Sequence, residues 1–217
     1  MKKYNNLNQS DQIFYPENEE EINEFLNKLK EFGKLTIKNY GLFSSSILNK
    51  NINMENTLTK WIKEKINKPS FQSELIFKMS ENGTKSNDFH KYCDNKGPTL
   101  ILIKTKNNYI FGGFTPLNWN EEGGGIKDES NQTFIFSLNL MKKYDLKNRD
   151  KQAIENSKEG PNFGNIDFKL FENMEKGQTY ADGSSNFLSN NNLELTGEQG
   201  SKQYFETDEF EVYKLIY

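Results

Sequence analysis

The stretch that decides the fold runs from residue 98 to residue 115 and reads PTLILIKTKNNYIFGGFT. Two short segments rich in isoleucine, leucine and aromatic residues, 98–105 and 109–115, flank the pair Asn107 and Asn108. Because asparagine tolerates a positive φ, this pattern predicts two antiparallel strands joined by a tight hairpin.

Glycines next to these strands mark places where the backbone has a special task. Gly97 and Pro98 predict a rigid start to the first strand. Gly112 and Gly113 lack the Lys-Ser/Thr of a phosphate loop and no helix follows them, so they predict a bulge or a close approach of two backbones. Gly164 closes the sequence GPNFG, which predicts a turn.

Four more segments have the composition of short strands: 73–80, 132–138, 166–171 and 210–217. Helical spacing is rarer. Apolar residues at Met54, Leu58, Trp61, Ile62 and Ile66 predict a helix that ends before Pro69, and Ser86 is placed to cap a short helix over DFHKYC. Many short strands with few helices predict a mainly β (α+β) fold, a sandwich of two antiparallel sheets flanked by a few short helices.

The chain divides into three segments on this pattern. Residues 1–16 are polar and predict a flexible N-terminus. Residues 17–41 contain an apolar helical stripe with acids in its first turn and predict an N-terminal helical segment. Residues 42–217 hold the predicted strands and form the β domain, in which the three consecutive glycines at 123–125 predict a surface loop.

Composition excludes several classes of protein. The 217 residues carry 28 Lys and Arg against 31 Asp and Glu, and a net charge of −3 argues against a nucleic-acid binder. Apolar runs such as LILI are too short to insert into a membrane, and no secretory signal opens the chain. One cysteine cannot form an intramolecular disulfide, so we expect a cytoplasmic location.

One short stretch concentrates residues that can carry chemistry: Asp88, His90, Cys93 and Asp94. A zinc site needs three or four ligands, and the chain has no other histidine or cysteine, so we predict no metal and no cofactor. Two alternatives remain. His90 makes a structural hydrogen bond while Phe89 and Cys93 are core residues, or Cys93 is a reactive thiol in an electropositive, accessible setting.

A second acidic stretch lies near the C-terminus and includes Glu206, Asp208, Glu209 and Glu211. On an exposed strand face such a run is most often solvated charge. The loop that begins at Asp182 and Gly183 is polar and is a candidate binding loop.

The order of the segments resembles the TLDc domain, and is most similar to its protist branch. The segments that carry the resemblance are FHKYCDNKGPTLILIK, IFGGFTPLNW, FIFSL, GPNFG and FEVY, within residues 42–217. The resemblance implies a two-sheet sandwich and assigns a structural role to the motif residues His90, Asp94, Gly97, Pro98, Gly112, Gly113 and Gly164. It also implies a link to oxidation resistance. An acid that animal and fungal members carry before the FIFSL-type strand is replaced here by Gln132.

Several TLDc proteins bind the vacuolar proton-pumping ATPase, so the resemblance favours a non-catalytic interaction module that binds and regulates the peripheral sector of this pump. Loops at the ends of a sandwich usually carry recognition. The loop residues that we expect at the binding surface are Asn82, Gly83, Trp119, Asn120, Asp182, Ser184 and Ser185.

Two alternative functions stay open at this point. The first is a redox enzyme, or a protein whose thiol is oxidised sacrificially, with Cys93 as the redox group. The second is a carbohydrate-binding sandwich that uses Trp119, Tyr180 and the loops rich in asparagine and aspartate.

Overall fold

The computed structural model describes residues 45–181, 184–188, 193–197 and 202–217. The predicted segments 1–16 and 17–41 and the candidate residue Asp182 lie outside the described residues.

Within these ranges the chain forms four helices and eleven strands. The helices are α1 (Ile52–Ile66), α2 (Met79–Asn82), α3 (Ser86–Cys93) and α4 (Leu193–Thr196). The strands are β1 (Gln72–Lys78), β2 (Thr99–Thr105), β3 (Ile110–Thr115), β4 (Gly124–Lys127), β5 (Phe134–Ser137), β6 (Lys142–Asp145), β7 (Gln152–Asn156), β8 (Asn162–Phe163), β9 (Phe168–Leu170), β10 (Lys176–Tyr180) and β11 (Lys202–Ile216).

All strand pairs are antiparallel, and the long strand β11 belongs to two sheets. The first sheet has the order β1-β11-β2-β3-β5-β6, and the second has the order β4-β7-β8-β9-β10-β11. A bulge between Thr207 and Glu209 lies where β11 passes from one sheet to the other. The predicted sandwich of two antiparallel sheets with a few short helices is therefore confirmed.

Aromatic side chains fill the space between the two sheets. Phe111 of the first sheet contacts Phe168 and Phe205 of the second, with ring centroids 5.4 and 5.2 Å apart and the rings nearly perpendicular. Phe89 of α3 packs on Phe77 and Phe210 from the side. Helix α3 therefore closes one side of the sandwich with the same kind of residue that fills its centre.

Strand β2 is apolar throughout because it is buried on both of its faces. Ile101 and Ile103 face the core between the sheets, whereas Leu100 and Leu102 face a second cluster under α1. Helix α1 follows the predicted stripe. It is capped by the Asn51 side chain at 3.2 Å from the Met54 nitrogen, and it ends at Asn67 in the left-handed region, before Pro69.

Two predictions about the central hairpin are confirmed. Asn108 adopts φ 66°, and the Thr105 nitrogen donates to the Tyr109 carbonyl across the turn. Gly112 and Gly113 mark close approaches: a Cβ at Gly112 would overlap the carbonyl oxygen of Ile101, and one at Gly113 would lie 2.6 Å from the Phe163 ring.

Three local predictions are wrong. Helix α3 begins at Ser86 with Lys85 as its N-cap, and the Asp88 carboxylate accepts from the Lys85 nitrogen at 3.1 Å. The glycine-rich loop contains an exposed edge strand, β4, which pairs with β7. The segment GPNFG, predicted as a turn, contains the two-residue strand β8, which pairs with β7.

Candidate functional site

Helix α3 carries the motif residues that the sequence singled out, and it directs His90 towards the second sheet. The His90 Nδ1 atom lies 2.8 Å from Asp94 Oδ1, and Nε2 lies 2.9 Å from the carbonyl oxygen of Glu159. The imidazole is buried and also lies edge-on to Phe89 at a centroid distance of 5.1 Å. The predicted structural hydrogen bond of His90 is confirmed.

A third acidic side chain joins this pair from a distant part of the chain. The carboxylate of Glu121, in the loop after β3, lies close enough that its oxygen, the Asp94 oxygen and a His90 nitrogen are all within 4.8 Å of one another. The loop is positioned by a bridge between Asp94 and Trp119, in which the Asn95 nitrogen donates to the Trp119 carbonyl at 3.1 Å. Sequence spacing gave no signal for Glu121, because only this bridge brings it to α3.

Cys93, one helical turn after His90, faces the core between the sheets. Its side chain has no exposed surface and belongs to the cluster between the sheets, together with Phe89. Burial raises the pKa of the Cys93 thiol far above its usual value, and the neighbouring carboxylate of Asp94 adds to this effect. The environment therefore lacks the electropositive, accessible character of a reactive cysteine.

The predicted exposure of Trp119 is wrong. The indole is 2% exposed, packs against Phe89 and Phe163, and donates from Nε1 to the Thr99 hydroxyl at 2.9 Å. The residue lies in a loop whose backbone forms a bridge with Asp94, and its side chain faces inwards. Trp119 therefore positions the loop and has almost no surface left for a ligand.

The neighbouring candidate residues retain partial exposure. Asn120 is half-buried, accepts from the Glu122 nitrogen at 2.9 Å and donates its own backbone nitrogen to Asn156 at 3.3 Å. Asn82 is half-buried and accepts from the Lys78 nitrogen at 2.7 Å. Gly83 has φ 120° and leaves room for the Asp88 carboxylate, which a Cβ would displace. These residues lie around α3.

Ser184 and Ser185 belong to a different loop, which two charged side chains hold in place. The buried Asp167 carboxylate accepts from the backbone nitrogens of residues 186, 187 and 188 at 2.8–2.9 Å. Lys147 donates to the carbonyls of Ser185, at 2.9 Å, and Leu188. Burial raises the pKa of Asp167, and the backbone donors and Lys147 oppose this effect in part. Ser184 is exposed, whereas the predicted exposure of Ser185 is wrong, since its hydroxyl donates to the Tyr180 carbonyl at 3.0 Å.

The structure thus divides the predicted binding surface between two regions that contact different elements. Asn82, Gly83 and Asn120 lie around α3, and Ser184 lies on the loop held by Asp167. Gln132, the residue in place of the family acid, is half-buried, and its backbone nitrogen donates to Asp128 at 2.9 Å. The other motif glycines have structural tasks: Gly97 and Gly164 adopt φ 64° and 67°.

The sequence predicts that the acidic stretch near the C-terminus is solvated charge. The structure confirms this for only part of the stretch. Glu206 and Asp208 are exposed and pair with Lys106 and Lys104, at 2.7 and 2.6 Å. Glu211 is completely buried. The alternation of β11 points this one acid to the face covered by the segment before α1.

Comparison with known protein families identifies the family to which this fold belongs. The family model for the TLDc domain matches residues 41–216, which includes both sheets and all four helices. The chain belongs to the TLDc domain family. Its membership of the protist branch stays a prediction. No helix within the described residues is long and apolar enough to cross a membrane.

Two curated proteins illustrate the relationship. GTPase-activating protein skywalker of Drosophila melanogaster is 32% identical over 91 residues, which is 38% of this chain and 15% of that protein. TBC1 domain family member 24 of Xenopus laevis is 36% identical over 61 residues, 28% of this chain and 10% of that protein. The matched part therefore spans a small fraction of these relatives.

Proposed function

We propose that this TLDc domain is a non-catalytic interaction module, linked to oxidative-stress resistance, that binds and regulates the peripheral sector of the vacuolar proton-pumping ATPase in the cytoplasm. The observation that carries the proposal is the match of the TLDc family across residues 41–216. The GTPase-activating role in the name of skywalker belongs to a protein of which this chain covers 15%.

The loop that carries Ser184 supports binding as the mode of action. Three backbone bonds to Asp167 and two bonds from Lys147 tie down residues 185–188, directly after Ser184. A loop that is ordered before it binds loses less conformational entropy on association. Ser184 and the half-buried Asn120 are accordingly the positions at which a partner is best tested.

Each of the two alternative functions depends on a residue that the structure buries: Cys93 for the redox function and Trp119 for carbohydrate binding. A redox function requires a thiolate, but burial raises the pKa of Cys93 and leaves its sulfur without exposed surface. The carbohydrate-binding alternative used Trp119 and Tyr180, but the Trp119 indole is packed between Phe89 and Phe163, and Tyr180 is half-buried.

The test is affinity capture from native cytosol with the tagged full chain, with and without peroxide, read by mass spectrometry. Ser184→Arg and Asn120→Arg introduce a long cation at the proposed surface. Ser70→Arg is the matched control, because Ser70 is exposed in the segment between α1 and β1. We expect peripheral subunits of the proton pump with the wild-type chain and with Ser70→Arg, and a clear loss with at least one loop variant.

Absence of pump subunits from the wild-type capture would show that the pump is not the partner. Equal capture by all variants would remove the proposed surface while the partner remained. Cys93→Ala should capture the same subunits as the wild type, in peroxide as well, because the buried thiol takes no part in the interface.

A further inference from the structure

We propose that His90, Asp94 and Glu121 bind a divalent cation of the Zn²⁺ type between α3 and the loop that follows β3. The three side chains offer one imidazole nitrogen and two carboxylates, with the ligand atoms within 4.8 Å of one another. The proposal concerns a ligand set that includes Glu121 and leaves out the buried Cys93.

The hydrogen bond to Glu159 fixes the tautomer of His90. A carbonyl oxygen only accepts, so the Nε2 atom at 2.9 Å from it must carry the proton. In the neutral ring Nδ1 then presents a lone pair. That lone pair faces the Asp94 carboxylate oxygen at 2.8 Å, which is also an acceptor. A divalent cation beside these two atoms would take a lone pair from each of them.

Glu121 adds a third possible ligand to this pair. A cation bound at about 2.1 Å from each ligand separates its ligand atoms by about 3 to 3.5 Å. The His90–Asp94 distance is already close to this value, and Glu121, being exposed, reaches it by rotating its side chain.

The support around His90 is the kind that metal-bound histidines have. Such a histidine donates its other ring nitrogen to a carbonyl or carboxylate, which fixes the ring and makes the ligating nitrogen more basic. Here the Glu159 carbonyl has this position. Glu159 is itself held, since its carboxylate pairs with Lys169 at 2.6 Å and its nitrogen donates to Ser157 at 3.2 Å.

The ligand types indicate which ion binds. Imidazole favours Zn²⁺ and related transition metals, and carboxylates are common additional ligands. Water completes the coordination from the exposed side of Glu121. An ion in this position would join α3 to residues 119–121, and so would hold Asn120 more firmly in place. We therefore expect its binding to stabilise the native state, as any ligand specific for that state does.

The ring nitrogens of His90 can be observed without overlap from other imidazoles, because the chain contains one histidine. Metal-free full-length protein is titrated with Zn²⁺, and the ring nitrogens of His90 are followed by long-range ¹H–¹⁵N correlation, with calorimetry giving the affinity. We expect a large shift of Nδ1, with Nε2 remaining protonated, and no such shift with Mg²⁺. In Glu121→Gln the affinity should fall by about tenfold or more.

The matched control is Glu122→Gln, which changes the adjacent exposed acid and leaves the three ligands intact. Both substitutions are at exposed positions, so folding is expected to be unaffected and is checked by thermal unfolding. The proposal is overturned if Zn²⁺ causes no change at His90, if Glu121→Gln binds as tightly as Glu122→Gln, or if both ring nitrogens stay protonated at saturating Zn²⁺. The last result would assign the pair to an ion pair between imidazolium and Asp94.

Discussion

The Ser45 hydroxyl donates a 2.6 Å hydrogen bond to the buried Glu211 carboxylate, and so joins the segment before α1 to the last strand of the chain. Ser46 donates to the other carboxylate oxygen from its backbone nitrogen at 3.0 Å and from its hydroxyl at 2.6 Å. The Tyr213 hydroxyl completes the set at 3.0 Å. A carboxylate without exposed surface is thus held by neutral donors from two distant parts of the sequence.

Removal of a single donor to Glu211 should weaken the fold measurably. We expect Ser45→Ala and Ser46→Ala each to lower the free energy of unfolding by about 1–3 kcal/mol, because a buried carboxylate loses a hydrogen bond and is left partly unsatisfied. Urea unfolding measures both values. In a double-mutant cycle with Glu211→Ala, each serine should show a coupling energy of about 0.5 kcal/mol or more. Additive effects would show that the bond contributes nothing.

The close approaches at Gly112 and Gly113 should make both positions intolerant of alanine. At Gly112 the added Cβ overlaps the backbone carbonyl of Ile101, which cannot move without disturbing the pairing of β2 and β3. We expect a loss of about 3 kcal/mol or more in unfolding free energy. Gly113→Ala meets a side chain instead, the Phe163 ring at 2.6 Å, and should cost about 1–3 kcal/mol.

Gly123→Ala is the control for this pair. No atom lies within 4 Å of its added Cβ, but φ is +84°, so the cost should stay near 1–2 kcal/mol from backbone conformation alone. If Gly112→Ala were as stable as Gly123→Ala, the close approach to Ile101 would not be limiting.

How much of this fold could be predicted from sequence follows from the burial of each element. Strand β2 was evident because Leu100 to Ile103 are buried on both faces and give a continuous apolar run. The sequence does not predict strand β4, because its four residues are exposed and include two glycines. No pattern of apolar residues distinguishes it from a loop. Strand pairing with β7, and not local preference, makes it a strand.

The candidate site shows the same limit more sharply. His90 and Asp94 are one helical turn apart, so their contact could be expected from spacing. Glu121 comes close to them across the bridge between Asp94 and Trp119, and the buried Glu211 contacts residues 45 and 46 from the other end of the domain. Contacts of this kind depend on the packed structure, and no local pattern in the sequence announces them.

The thiol of Cys93 should be unreactive in the folded protein. Its sulfur is buried, and burial raises the pKa of the thiol, so the thiolate that attacks disulfide reagents is almost unpopulated. We expect labelling by a disulfide reagent such as dithionitrobenzoate to be slow in buffer and to become fast over the same urea range in which the protein unfolds. Rapid labelling of the native protein would restore the redox hypothesis.

Asp128 should give the protein a stability that depends on pH in the acid range. Its buried carboxylate accepts from the backbone nitrogens of Ser130, Gln132 and Thr133 at 2.6–3.0 Å, and from the hydroxyls of Ser130 and Thr133 at 2.5 and 2.7 Å. Burial alone would raise the pKa of Asp128, but these donors together outweigh it and lower the pKa below the ordinary 3.8. The folded state therefore holds the ionised form more strongly than the unfolded state does.

The sign of the effect follows from this difference. Since the folded pKa is the lower one, the stabilisation by Asp128 is fully present above the unfolded pKa and is lost as pH falls through the folded pKa. Asp128→Asn should cost about 2–4 kcal/mol at neutral pH, because a neutral amide replaces a charged acceptor and turns an N–H towards other donors. The difference in unfolding free energy between wild type and variant should narrow as the pH falls below 3.8, measured by urea unfolding at several pH values. Asp150→Asn, at an exposed position, is the control, and a gap for Asp128→Asn that does not change with pH would contradict the assignment.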